Sequence, residues 1–179
     1  GANGSGKSTI LKTLCRIRRP DRGQAILDGH SIHHMATREL ARRLSILPQG
    51  PEAPEGLTVE ELVSYGRAPY RRSGRCLSRE DKEKIIWALK VTKMEEFSSR
   101  PLEQLSGGQR QRAWIAMCLA QDTEILFLDE PATYLDISYQ LDIMKLLKKL
   151  NEEYQKTIIM VVHDLNHASL FADYIVAIK

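Results

Sequence analysis

The chain has 179 residues, 42% of them hydrophobic, and a net charge of +3, which is typical of a soluble globular protein. No apolar run approaches the roughly 18 residues that cross a membrane, so the chain is not a channel by itself. Positions 1–75 carry 13 basic and 7 acidic residues but no nucleic-acid-binding motif, so a polyanionic small molecule explains this excess as well as a nucleic acid does.

Hydrophobic periodicity predicts a coarse order of elements in the first part of the chain. A Gly-rich loop opens the chain, Pro48 stops a buried strand, and Gln49 follows it directly. Capping-box patterns at Thr58 and Ser78 mark helix starts further on. The predicted elements are a helix over 9–17, a strand over 24–27, a helix over 37–43, a strand over 44–47 and a helical segment over 56–104.

Strands and helices alternate in the rest of the chain. The predicted elements are a helix over 107–120, a strand over 125–128, a helix over 137–154, a strand over 157–162, a helix over 165–172 and a strand over 174–178. Such alternation builds a parallel sheet with helices on its faces, an α/β fold. Strands 125–128 and 158–162 are almost wholly apolar, so we expect both faces of each to be covered.

The opening residues fit the pattern GxxxxGK[ST], in which backbone N–H groups at a helix N-terminus bind phosphates. Lys7 would reach the β and γ phosphates of the ligand, and Ser8 would give its hydroxyl to Mg²⁺. The alternative is a Gly-rich turn that only caps a helix. The candidate phosphate-binding residues are Asn3, Gly4, Ser5, Gly6, Lys7, Ser8 and Thr9.

Two acids end the apolar run 125–128, at the sheet edge where a doubly wound fold places its ligand. Asp129 is a candidate Mg²⁺ ligand, and Glu130 is a candidate general base for an attacking water. Alone, such a pair also fits a solvated helix start. A phosphate loop in the same chain favours the catalytic interpretation, because phosphoryl transfer needs a metal carboxylate opposite the loop.

The run Leu-Ser-Gly-Gly-Gln at 105–109 matches the signature motif of ATP-binding cassette (ABC) ATPases, so the chain resembles this family. Physically, Ser106 can cap the following helix, and the glycines expose backbone N–H groups. The resemblance implies a P-loop NTPase (RecA-like) parallel-sheet core, over 1–55 and 105–179, with an inserted ABC-type helical subdomain over 56–104. It also implies a homodimer with ATP sandwiched between two copies, in which Ser106, Gly107, Gly108 and Gln109 contact the ATP held by the other copy.

Three single residues fall where that family places its remaining parts. Gln49 resembles the glutamine that touches Mg²⁺ and water, and His163 resembles the histidine that contacts the γ-phosphate and orients Glu130. Asp136 resembles the aspartate that couples the two copies of the dimer. The resemblance thus implies ATP and Mg²⁺ as cofactors, catalytic residues Glu130, His163 and Gln49, and metal ligands Ser8, Gln49 and Asp129.

The stretches 64–71, 111–117, 133–136 and 163–166 resemble the ATPase subunits of ferric-siderophore importers, relatives of the haem and vitamin B12 systems. This resemblance implies a peripheral protein on the cytoplasmic face of the membrane. Its expected partners are permease subunits and, indirectly, a substrate-binding protein, with no nucleic acid. The alternatives are a soluble ABC ATPase that acts on nucleic acid or in translation, and an importer ATPase for haem, vitamin B12 or another metal chelate.

Cysteine usage and the first residue support two further expectations. Cys15, Cys76 and Cys118 are widely separated and form no CxxC pair, which favours free thiols in a reducing compartment. The chain begins at Gly1, without Met and inside the phosphate loop, which indicates a cassette cut at both ends. We therefore expect the isolated chain to bind ATP weakly and to hydrolyse it poorly.

Overall fold

The structure is a computed structural model that describes residues 5–71, 76–133 and 135–178. Its helices are α1 Lys7–Leu14, α2 Thr37–Arg43, α3 Val59–Tyr65, α4 Arg79–Val91, α5 Gly107–Ala120, α6 Ile137–Tyr154 and α7 Leu165–Phe171, with short 3₁₀ turns at Glu95–Phe97 and Leu102–Gln104. Its strands are β1 Ile26–Leu27, β2 His30–Ser31, β3 Leu44–Leu47, β4 Ile125–Asp129 and β5 Thr157–Val161.

The central sheet of the described chain is parallel, in the order β3-β4-β5. Leu47 lies opposite Leu128, and Asp129 lies opposite Val161, so the carboxyl ends of the strands meet at one edge. The predicted α/β fold with a parallel sheet is confirmed. This edge is where such sheets bind their ligands.

Capping residues in the sequence set where helices α3, α4 and α5 begin. Thr58, Ser78 and Ser106 each accept a hydrogen bond from the backbone of the third helical residue, whose side chain bonds back to the cap. These capping boxes satisfy N–H groups that the first turn of a helix leaves unpaired. Helices α3, α4 and α5 therefore start at the positions that the sequence predicts.

Apolar side chains form two core clusters on the two faces of the sheet. The larger cluster joins α3 and α4 to α5, α6 and one face of β4, with Val59, Ile85 and Leu128 among its buried members. The smaller joins α1 and α2 to the other face, where Leu11 and Phe127 are buried. Helices α3 and α4 thus share a core with the sheet, and the division of the chain at 56 and 104 stays a prediction.

The predicted strand over 174–178 is wrong: these residues have no regular secondary structure, and Tyr174 is 92% exposed. A strand needs a hydrogen-bonded neighbour, and this segment pairs with none of the described strands. The prediction that β5 is covered on both faces is also wrong. Ile159 is 38% exposed, because α1 covers the end of β5 at Val161 and leaves Ile159 accessible.

Smaller differences occur near the beginning of the chain. Helix α1 ends at Leu14, earlier than predicted, because Arg16 has a left-handed backbone with φ 60°. The strand predicted over 24–27 is reduced to β1, which forms a hairpin with β2. Asp28 and Gly29 both have positive φ, as a two-residue hairpin turn requires. Within the described ranges, no helix combines the length and the apolar character needed to cross a membrane.

Candidate active site

Three predicted catalytic side chains come together where the parallel strands end. Gln49 lies two residues after β3, Glu130 directly follows β4, and His163 lies two residues after β5. The amide Nε2 of Gln49 donates to Glu130 Oε2 at 2.9 Å, and His163 Nε2 contacts Glu130 Oε1. The three residues are far apart in sequence, so the sheet register assembles this group.

Helix α1 begins at the described part of the predicted phosphate loop. Gly6 caps the helix in a left-handed conformation, with φ 85°, which a residue with a side chain adopts only at a cost. The ammonium of Lys7 donates to Ser5 Oγ at 3.0 Å, and Thr9 is exposed. Backbone N–H groups of a first helical turn point toward the space before the helix, where an anion binds favourably. The predicted residues Asn3 and Gly4 lie outside the described residues.

The hydroxyl of Ser8 connects α1 to the end of β4. It donates to Asp129 Oδ1 at 2.7 Å, although Asp129 is only 1% exposed. The second carboxylate atom, Oδ2, is buried without a hydrogen-bond partner in the described part of the chain. A buried, unpaired carboxylate oxygen is costly and is normally paired or bound to a metal. Hydroxyl and carboxylate oxygens are Mg²⁺ ligands, so these two residues fit a magnesium site.

The negative charge of Asp129 also affects a neighbouring thiol. Burial raises the pKa of Cys15 to about 12, and the carboxylate of Asp129 adds to the shift. Cys15 lies at the end of α1 and belongs to the core cluster beneath that helix. The thiol is therefore neutral at physiological pH and fills space instead of acting as a nucleophile.

Glu130 has an unusual backbone and a carboxylate with several hydrogen-bond donors. Its φ of 55° is in the left-handed region, which is rare for a residue other than Gly. Its side chain is 9% exposed. Oε2 accepts from both Gln49 and Thr133, whose hydroxyl lies 3.1 Å away, and Oε1 contacts His163. Such strain is typical of functional sites and persists only where surrounding contacts hold it.

Thr133 is the residue of this group that the sequence analysis did not identify. A local signal exists, because Thr and Ser hydroxyls often bond to groups three or four residues earlier in the chain. That signal alone does not say which atom accepts. In the structure the acceptor is the Glu130 carboxylate instead of a backbone carbonyl, in a turn where the Glu130 backbone is left-handed.

The signature residues have their own contacts at the start of α5. Ser106 Oγ accepts from the Gln109 backbone at 3.3 Å, and the Gln109 side chain accepts from the Ser106 backbone at 3.0 Å. A Cβ on Gly108 would lie 2.3 Å from Cδ1 of Tyr139 on α6. A Gly at 108 therefore leaves room for the Tyr139 ring in this position, a packing role that the motif alone did not indicate.

Asp136 caps the neighbouring helix α6. Its carboxylate accepts from the backbone of Tyr139 at 3.1 Å. The starts of α5 and α6 lie against each other at Gly108 and Tyr139, while the capping hydrogen bonds of Ser106 and of Asp136 are each made within their own helix. A role for Asp136 and residues 106–109 in a second copy of the chain stays a prediction.

Comparison with known protein sequences indicates the same family as the motifs do. The family model described as ABC transporter matches residues 1–133. The iron(3+)-hydroxamate import ATP-binding protein FhuC of Bacillus subtilis (strain 168) is 58% identical over 179 residues, which are 100% of this chain and 66% of the relative. The ferric enterobactin transport ATP-binding protein FepC of Escherichia coli (strain K12) is 46% identical over 179 residues, with the same coverage of 100% and 66%.

A solved structure has a fold similar to that of this chain over most of the chain's length. The dimeric post-hydrolysis state of the ATP-binding cassette MJ0796, bound to ADP and Pi, superposes with a TM-score of 0.76 at 34% identity and covers 94% of this chain and 74% of that chain. The chain spans just under two thirds of the length of the curated relatives above. Sequence and fold agree, and the chain belongs to the ABC transporter family.

Proposed function

We propose that the protein is the ATP-binding and ATP-hydrolysing subunit of an importer for an iron(III)-siderophore-type substrate. The observation that carries the proposal is the convergence of Ser8, Asp129, Glu130 and His163 at the carboxyl ends of parallel strands. Support for the substrate class comes from relatives whose names describe iron(3+)-hydroxamate and ferric enterobactin import.

The start of α1 binds the phosphates of ATP in this proposal. Residues 3–9 would contribute backbone N–H groups, and Lys7 would supply a positive charge. Ser8, Asp129 and Gln49 hold Mg²⁺, which neutralises phosphate charge when it is bound. The Oδ2 atom of Asp129 supports this assignment, because it is buried and has no hydrogen-bond partner among the described residues.

Glu130 is the general base. Its carboxylate stands next to Asp129 and takes the proton of an attacking water, while His163 and Gln49 hold it in place through opposite oxygen atoms. The bond from the water oxygen to the γ-phosphorus forms as the bond from that phosphorus to ADP breaks, and the electron pair stays on the ADP oxygen. Each of these three side chains follows a strand end by one or two residues, so the sheet places them side by side for the reaction.

A second copy of the chain completes the site. Helix α5 has 14 residues, is capped by Ser106 and carries no acidic side chain in its first turn. Its N-terminus is therefore suited to binding an anion. We propose that Ser106, Gly107, Gly108 and Gln109 contact the ATP held by the other copy, and that Asp136 couples the copies. The dimeric state of the similar cassette MJ0796 supports this arrangement.

The remaining partners are proposed from the resemblance to importer ATPases, and the name of the Bacillus subtilis relative, an import ATP-binding protein, supports this resemblance. We propose that this subunit acts with permease subunits on the cytoplasmic face of the membrane and that segment 56–104 transmits closure to them. A substrate-binding protein delivers the chelate to the permease and does not touch this chain.

The change Glu130→Gln in the full-length protein tests the enzymatic part of the proposal. We expect the ATPase rate to fall on the order of 10²–10⁴-fold, because a general base contributes about that factor, while ATP binding persists. Glu152→Gln is the control, since Glu152 is an exposed carboxylate on α6. Near-normal turnover of the Glu130→Gln variant would refute the assignment.

Lys7→Ala should weaken ATP binding, and an unchanged ATP titration would count against the phosphate loop.

Uptake in cells tests the transport part. A strain that lacks the gene should fail to import a radioiron-loaded hydroxamate siderophore, and the wild-type gene should restore uptake where the Glu130→Gln gene does not. Restored uptake of haem or vitamin B12 alone would shift the substrate class. Salt-dependent binding to DNA or RNA, without any transport defect, would favour the nucleic-acid alternative.

A further inference from the structure

We propose that Thr133 is a positioning residue that fixes the Glu130 carboxylate and thereby selects the oxygen atom that accepts the proton of water. The inference rests on the proposed ATPase function. It concerns a residue whose hydroxyl does not touch the substrate and acts through Glu130.

Thr133 holds Glu130 at both ends. Its backbone N–H donates to the Glu130 carbonyl at 3.3 Å, and its hydroxyl donates to Glu130 Oε2 at 3.1 Å. The first bond closes the turn that contains the left-handed Glu130 backbone, and the second fixes the end of the side chain. A strained residue needs such contacts to stay in place.

The division of donors between the two carboxylate oxygens decides the chemistry. Oε2 accepts from Thr133 and from Gln49, at 3.1 and 2.9 Å, and two donors fill the acceptor capacity of that atom. Among the described residues Oε1 contacts the His163 ring alone, so it keeps a lone pair even when that ring donates to it. Oε1 is therefore the atom that accepts the proton from water.

Thr133 and Gln49 differ in how they reach Oε2. Gln49 belongs to an exposed segment after β3, 81 positions away in sequence. Thr133 belongs to the same turn as Glu130 and is half-buried there. Thr133 thus holds Oε2 whatever the position of Gln49, and without its hydroxyl the carboxylate is less restrained about its terminal torsion, which has a broad energy profile.

The test compares Thr133→Val with Thr133→Ser in the full-length protein, by ATPase kinetics and ATP titration. Val keeps the shape and removes the hydroxyl, so we expect kcat to fall about tenfold, as for the loss of one hydrogen bond to a charged group. KM should stay within about twofold, since ground-state binding is unaffected. Ser restores the hydroxyl and should return kcat to within about threefold of the wild type.

Two controls separate positioning from structure. Thr123→Val removes a buried hydroxyl that bonds to Ser45 and Ile125, so it should lower stability and leave kcat unchanged. In a Glu130→Gln background, Thr133→Val should lower the rate no further, because the two residues act as one unit. If Thr133→Val unfolds below the assay temperature, Thr133→Ala is measured in the same way.

The outcomes distinguish this inference from the function on which it rests. An active wild type, an inactive Glu130→Gln and a Thr133→Val variant with normal kcat would overturn the positioning role alone. So would a Thr133→Ser variant as slow as Thr133→Val, or a change confined to KM. A wild type without ATPase activity, or a fully active Glu130→Gln variant, would overturn the proposed function and the positioning role with it.

Discussion

The hydroxyl of Ser8 donates a 2.7 Å hydrogen bond to Oδ1 of Asp129, which joins the first turn of α1 to the end of the central strand across 121 sequence positions. The other oxygen of this buried carboxylate has no partner in the described part of the chain. Oδ1 of Asp129 thus makes a structural contact, and Oδ2 is left to bind another group. Both properties lead to a prediction.

Ser8→Ala should remove the partner of Oδ1 and leave Asp129 with both oxygens buried and unpaired. We expect a loss of about 1–3 kcal/mol in the free energy of unfolding, and loss of the effect of Mg²⁺ on ATP affinity. Urea denaturation and ATP titration with and without Mg²⁺ measure the two effects. Ser8→Thr keeps the hydroxyl and should preserve both. Ser169→Ala, which removes an exposed hydroxyl, should change neither, and an equal effect there would contradict the prediction.

Gly108→Ala should destabilise the protein through the contact of α5 with α6. The new Cβ would lie 2.3 Å from the ring of Tyr139, so the ring or one of the two helices must shift, at a cost on the order of 1–3 kcal/mol. Gly107→Ala is a matched control, because its Cβ would lie 3.3 Å from Leu135 and fits with a small adjustment. Thermal denaturation should also show partial rescue of Gly108→Ala by Tyr139→Ala, and the absence of rescue would rule out this contact as the cause.

Asp81→Asn should strongly destabilise the protein, because Asp81 neutralises a buried cation. The Nε of Arg67, whose side chain is 1% exposed, donates to Asp81 Oδ1 at 2.8 Å, and its Nη1 donates to the Ala120 carbonyl. Breaking a buried ion pair on one side costs about 3–5 kcal/mol. Glu83→Gln breaks the exposed pair with Arg79 on the same helix and should stay within about 0.5 kcal/mol. Similar losses for both variants in urea denaturation would contradict this prediction.

The same ion pair should make stability depend on pH in the acid range. Burial by itself raises the pKa of Asp81, but hydrogen bonds from Ser78 and Arg67 outweigh it and hold that pKa below its ordinary value of 3.8. The contribution of the pair is therefore complete above that ordinary value and is lost as the pH falls through the lower, folded-state pKa. The difference in unfolding free energy between wild type and Asp81→Asn should be constant near neutrality and shrink only under strongly acidic conditions. A difference that shrinks between neutral and mildly acidic pH would assign the dependence to another group.

The three cysteines should differ in reactivity. Cys76 is exposed, whereas burial raises the pKa of Cys118 and of Cys15 to about 12. The thiolate is the reactive form, so alkylation of the folded protein should modify Cys76 and spare the other two until denaturant is added. Peptide mass mapping after brief alkylation identifies the modified sites. Rapid modification of Cys118 in the native protein would show that its helix opens readily.

Local patterns in the sequence were sufficient for several elements. Helices α2, α5 and α6 and strand β3 have the predicted bounds, because capping residues and hydrophobic periodicity act within one turn or one strand. The residue types at the strand ends identified Asp129 and Glu130 as candidates in the same way. Each of these signals depends only on residues that are close together in the sequence, so they can be read from the sequence alone.

The tertiary structure decided what depends on distant segments. The exposure of Ile159 and the absence of a strand over 174–178 follow from which strands find partners, and no periodicity encodes that. The packing of Gly108 against Tyr139 and the burial of Arg67 with Asp81 join helices that local sequence cannot relate.

The candidate site shows the same division between sequence and structure. Motifs identified Ser8, Asp129 and Glu130, because their spacing and residue types reflect the chemistry of phosphate and metal, and the family resemblance identified His163. The sheet register and the contact of α1 with the end of β4 brought these residues together, and Thr133 bonds to the Glu130 carboxylate within the left-handed turn. A sequence thus determines which groups are present and which helices and strands carry them. Hydrogen bonds between side chains depend on distances of a few ångströms, which only the packed chain fixes.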